Sequence, residues 1–134
     1  MAEMRLRVDG ARVGRLATSG PGGQPHIVPV CFALDGETIY FAVDAKPKRT
    51  RALKRLGNIA SNPAVSLLVD HYEDDWARLW WVRVDGHARV IAEGAELDKA
   101  IELLASRYAP YRSSRPAGPV VAVAVDRWTG WTGV

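Results

Sequence analysis

The sequence has almost no cysteine: Cys31 is the single one. One thiol makes no intrachain disulfide and no thiolate metal site, so a reducing compartment is expected and stability must rest on packing or on a partner subunit. Apolar runs long enough to span a bilayer are lacking too. The first ten residues intersperse Glu3, Arg5, Arg7 and Asp9 among apolar ones instead of joining a basic start to an apolar stretch. A soluble, cytoplasmic protein without membrane association is the expectation. Three histidines, His26, His71 and His87, show no metal-ligand spacing, so no metal site is expected. There is no phosphate-binding glycine loop, no dinucleotide fingerprint, and no Ser or Cys nucleophile inside a motif. Catalytic side chains therefore remain unassigned, and a chain so poor in acid and base candidates points to chemistry carried by a cofactor.

What is present fits one domain over residues 1–134, with 48% hydrophobic and 25% charged residues. The net charge of +3 hides an uneven distribution. Residues 46–55 hold six of the 18 basic side chains and no acid, leaving 12 basic against 15 acidic elsewhere. One local patch suits a phosphate or a short polyanion. A nucleic-acid duplex would call for basic residues along a whole face, and single strands for interleaved aromatics, which this run lacks.

Along the chain, Val13–Thr18 reads as a strand, Ser19–Gly23 as a turn, and Gln24–Leu34 as the return strand. Asp35–Gly36 turns the chain into a third strand, Thr38–Val43. Leu53, Leu56 and Ile59 give Thr50–Ala60 a helical period, with Asn62–Pro63 as its stop. Ala64–Val69 is a fourth strand, and Asp70–Trp76 an acidic and aromatic loop. Arg78–Ile91 is a long fifth strand with Gly86 as a bulge or bend, Glu93–Tyr108 a second helix, and Pro110–Pro119 a linker. Val120–Val125, apolar almost throughout, closes the order as a strand buried on both faces. The list predicts a mainly β protein: six antiparallel strands in a small closed or partly open barrel, with short helices.

Two features bear on a ligand. The return strand carries Pro25 and Pro29, which cannot donate to a ladder, so one of its edges is unpaired or bulged. That edge either faces a ligand or is simply guarded against aggregation. The basic run sits where the chain leaves the third strand and starts a helix, an end that already favours an anion. Lys46, Lys48, Arg49 and Arg51 add positive charge there, unfavourably unless an anion binds, and Thr50 is placed to cap the helix or donate to the same anion. Cys31 reads as a small apolar strand residue.

The ordered set of Leu16–Thr18, Gly23–Phe32, Ile39–Phe41, Lys46–Leu53 and Asn62–Asp70 resembles the pyridoxamine 5′-phosphate oxidase-like split barrels. It is most similar to their actinobacterial branch of F420-dependent oxidoreductases. The resemblance implies a homodimer with cofactor sites at the interface. Lys46, Lys48, Arg49, Thr50 and Arg51 would hold the cofactor phosphate, and a flavin or deazaflavin ring would lie along His26, Ile27, Val28, Pro29 and Val30. The partner would contribute aromatic residues, with Trp80, Trp81, Trp128 and Trp131 as candidates. It implies reduced coenzyme F420 passing hydride to a small organic acceptor, with FMN, or a carrier protein without turnover, as the alternatives. Arg49 stands where many relatives have lysine, and the C-terminal arginine-rich signature of true pyridoxamine phosphate oxidases is missing, so that substrate is not expected.

Overall fold

The computed structural model describes residues 1–43 and 56–134. In chain order the elements are α1 (Ala2–Gly10), β1 (Gly14–Ser19), β2 (Pro25–Val30), β3 (Ala33–Asp35) and β4 (Thr38–Ala42). A helix α2, described over residues 56–61, leads into β5 (Ala64–His71) and a single 3-10 turn (Trp76–Arg78). Then come β6 (Trp80–Ile91), α3 (Ala95–Arg107), α4 (Ala109–Ser113) and β7 (Val120–Thr132). All strands belong to one sheet in the order β2-β1-β5-β6-β7-β4-β3, and every pair is antiparallel. The architecture is the expected split barrel, with seven strands among the described residues instead of six.

The extra strand comes from the return strand, which is two. Residues 25–30 pair with β1 at one end of the sheet, and residues 33–35 pair with β4 at the other. Strands adjacent in sequence thus stand at opposite ends of the order, and the sheet must curl to bring them together. At the break, Phe32 is fully buried, and its backbone N–H donates to the Tyr108 hydroxyl at 3.1 Å in place of a ladder partner. Cys31 lies in this link, exposed and outside any strand, unlike the apolar strand position expected of it.

Alternation along the strands builds the interior. Leu16, Leu67, Val82, Val84, Val121 and Val123 point inward with Phe32 and Phe41. On the opposite face of β7 and β4, Val120, Ala122 and Tyr40 meet the apolar stripe of α3, Leu97, Ala100 and Leu104. The expected burial of β7 on both faces is therefore what its first four residues show. Beyond them β7 runs on to Thr132, past the expected end at Val125, because Trp128–Thr132 keep strand alternation against β6.

The helix α1 was not anticipated. Its Met4 and Val8, one turn apart, close one end of the barrel, and Val8 is 0% exposed. Charged side chains hold the rest: Arg5 pairs with Glu37, and Arg107 donates to the carbonyl of Asp9 at 2.5 Å and to that of Ala11. A second short helix, α4, occupies part of the expected linker.

Candidate functional site

Helix α3 packs on β3, β4 and β7. Among the described residues α3 leaves the outer face of β1, β5 and the first half of β6 uncovered, and β2 forms the sheet edge beside it. The pairings Arg15 with Leu68, Leu68 with Arg83, Asp70 with Trp81, and Trp81 with Trp131 set these side chains in rows across that face. Two clefts lie on it. The first, of about 430 Å³, is lined by Leu68, Tyr72, Leu79, Trp81, Arg83 and Trp131 among others. The second, of about 440 Å³, is lined by Ser19, Pro25, Ser66, Asp85, His87 and Asp126 among others. Between them Ser66 donates to Asp85 at 2.6 Å, and Asp85 also meets Arg83 at 3.1 Å.

The two clefts differ in chemistry. The tryptophan cleft is apolar with one cation, Arg83, whose charge Asp85 already partners, and with Asp70 ion-paired to Arg15 at 3.5 Å. The Thr129 hydroxyl, opposite Arg83 in the ladder, is buried without a hydrogen-bond partner among the described residues, and Thr129 is not one of the residues lining the cleft. The bulge cleft takes its shape from an irregularity between Asp85 and Gly86. Asp85 pairs with Arg127 and Gly86 with Val125, so Asp126 is the unpaired residue. Gly86 is required there, since a Cβ would collide with the carbonyl oxygen of Ala124. The freed carboxylate of Asp126 meets Nδ1 of His87.

The expected site residues fall into separate groups. On the edge strand, Val28 and Val30 turn toward the barrel interior while Ile27, 69% exposed, alternates to the other face with Pro29. The proline-bearing strand is the sheet edge, as its prolines required. His26 is half-buried beside Thr18 in the register. Trp81 and Trp131 are ladder partners on the outer face. Trp80 and Trp128 pack against the interior under α1, where Arg7 lies over Trp80 and Arg5 over Trp128, each at 5.1 Å, and Trp80 also lines the tryptophan cleft. The Trp128 indole also donates to Glu37 at 3.0 Å. Lys46, Lys48, Arg49, Thr50 and Arg51 lie outside the described residues. Among the described residues no cluster of His, Cys, Asp and Glu is arranged to hold a metal ion. No described helix is long and apolar enough to cross a membrane.

The bulge pair His87 and Asp126 was missed, although Gly86 had been marked. In the sequence Asp126 follows an apolar strand and reads as its end, and only the register shift shows it projecting from a continuing ladder.

The sequence profile described as pyridoxamine 5′-phosphate oxidase matches residues 1–132. The chain belongs to that family. Family membership agrees with the curled antiparallel sheet and the open outer face. A conserved hypothetical protein of Mycobacterium tuberculosis is 25% identical, with a TM-score of 0.78 over 98% of this chain and 84% of its own. A FAD-binding protein from Mesorhizobium loti is 22% identical, with a TM-score of 0.70 over 96% of this chain and 90% of its own. A heme-binding protein from Mycobacterium smegmatis is 24% identical, with a TM-score of 0.73 over 98% of this chain and 57% of its own. No curated protein matches the chain.

The described residues fit a flat, ring-bearing cofactor. An apolar aromatic cleft of about 430 Å³ and a strand that is the sheet edge among the described residues suit a conjugated ring.

Proposed function

We propose that the protein is a homodimeric oxidoreductase that binds a flavin-type cofactor across the open sheet face, and that this cofactor is the deazaflavin coenzyme F420. When bound, such a ring supplies hydride to a small organic acceptor. The chain's part is to anchor its phosphate, hold the ring against β2 and keep water from it. The observation that carries the reading is the outer face of β1, β5 and β6, uncovered among the described residues, with Trp81 paired to Trp131 on it and the edge strand alongside.

Charge supports F420 over FMN. Lys46, Lys48, Arg49, Thr50 and Arg51 suffice for one phosphate, and Lys54 and Arg55 are surplus to it. The surplus suits the acidic tail of F420, for which FMN has no counterpart. FMN is the second reading, favoured by the fold shared with a FAD-binding protein. The heme-binding relative supports a third, in which the same face carries a ring without turnover.

The dimer belongs to this proposal. A face bearing Leu68 and Trp131, both partly exposed on a small domain, is what a second copy of the chain would cover. Fluorescence titration of the purified protein with F420 and with FMN tests the order of readings. Saturable F420 binding with weaker FMN binding is expected, and the opposite ranking reverses the assignment.

A further inference from the structure

We infer that the bulge cleft is a proton-delivery site in which His87, oriented by Asp126, protonates the acceptor as it is reduced. The inference rests on the redox reading above and adds to it a second ligand, a carbonyl-bearing acceptor, and the group that serves it.

Three features converge on the cleft. First, the bulge exists at a structural cost. It leaves Asp126 out of the ladder and demands glycine at position 86, where any Cβ meets the carbonyl of Ala124. What this arrangement yields is a carboxylate beside His87. Both side chains are more than half exposed, and an exposed ion pair contributes little to stability, so stability alone does not account for it. Second, Asp126 accepts from Nδ1 of His87, which fixes the imidazole orientation. Nε2 then has no partner among the described residues, the arrangement of a general acid or base oriented by a carboxylate. Third, the cleft borders Pro25, the first residue of the edge strand along which the cofactor ring is proposed to lie.

The charges facing His87 are few. From its own strand Asp85 lines the cleft, already bonded to Ser66 and Arg83, and opposite Arg127 in the ladder. From β7 comes Asp126, and the cleft residues of β1, β2 and β5, Thr18, Ser19, Pro25, Ala64 and Ser66, are uncharged.

Hydride, with two electrons, passes from the reduced cofactor to a carbon conjugated with the acceptor's carbonyl. The Cα=Cβ π pair shifts to form a new Cα=C(O) bond, the carbonyl π pair moves to oxygen, and that oxygen takes the proton from Nε2 of His87, giving the enol. The cofactor is left oxidised and His87 neutral, to be reprotonated from solvent.

Cyclohex-2-enone is a suitable probe. In cofactor-free protein, ¹⁵N spectra of the imidazoles should show Nδ1 of His87 protonated and hydrogen-bonded, a signature lost in Asp126→Asn, and the enone should shift its Nε2 signal saturably. With reduced F420 bound, single-turnover oxidation by the enone should slow about 100-fold in His87→Gln and about 10-fold in Asp126→Asn, within the range of general acid catalysis. Both variants should keep wild-type F420 affinity. An unmoved Nε2 signal, no oxidation by the enone, or wild-type rates in both variants with F420 bound overturns the proton-delivery role alone. Failure of the wild-type protein to bind either F420 or FMN overturns the redox reading, and this role with it.

Discussion

At the scale of single residues, Tyr108 carries the split in the barrel. Its hydroxyl accepts from the Phe32 N–H at 3.1 Å and lies 3.0 Å from the carbonyls of Phe32 and Arg12. It has one proton to give, so it satisfies one of those carbonyls at a time while always serving the buried N–H. Tyr108→Phe leaves that N–H without a partner and should cost about 1–3 kcal/mol. A lower urea midpoint at unchanged slope is the expected signature. Gly86→Ala forces a Cβ onto backbone, which no side-chain rotation relieves. It should destabilise by about 1–3 kcal/mol, and the ¹⁵N signature of the His87–Asp126 pair should disappear with the bulge.

At the scale of elements, the docking of α3 is written in charge. The Tyr40 hydroxyl donates to Glu96 at 2.8 Å, and Arg89 holds the same carboxylate at 2.7 Å. Burial first, then the bond to Glu96, pushes the Tyr40 phenol up from 10.0 to about 12. The unfolded chain releases this proton at lower pH than the folded one, so between those values the folded state binds more protons and stability falls as pH rises. Glu96 behaves in the opposite sense. Arg89 and then Tyr40 lower its carboxyl, so its contribution is lost as pH falls through the folded value. Tyr40→Phe should flatten the alkaline fall in a pH series of thermal unfolding, and an unchanged slope would disconnect it from Tyr40.

The sequence disclosed elements whose pattern is local. The two-sided burial of β7, the apolar stripe of α3 and the turn at Gly36 follow from residues next to one another. What depended on distant partners was hidden. Phe32 breaks a continuous strand pattern because Tyr108, far along the chain, replaces its ladder bond. Helix α1 escaped because its apolar contact is Met4 and Val8 alone, the rest being arginines that lie over Trp80 and Trp128 or meet Glu37. The same applies to the site: Trp81 and Trp131 were marked singly, and only the register makes them one cleft.

At the scale of the whole molecule, the open face needs an occupant. If a second copy covers it, Trp131→Asp should shift the protein from dimer to monomer in light scattering after size exclusion, leaving the interior cluster, which excludes Trp131, intact. A variant that remains dimeric would place the interface elsewhere. The account stands or falls on whether the basic run anchors an anionic ring against this face. The most direct measurement is the F420 affinity of the wild-type protein beside Lys48→Ala and Arg51→Ala. Saturable wild-type binding, weakened by on the order of 1–3 kcal/mol in each variant, the scale of a charged hydrogen bond, is the predicted result. Equal affinity in all three proteins would contradict it.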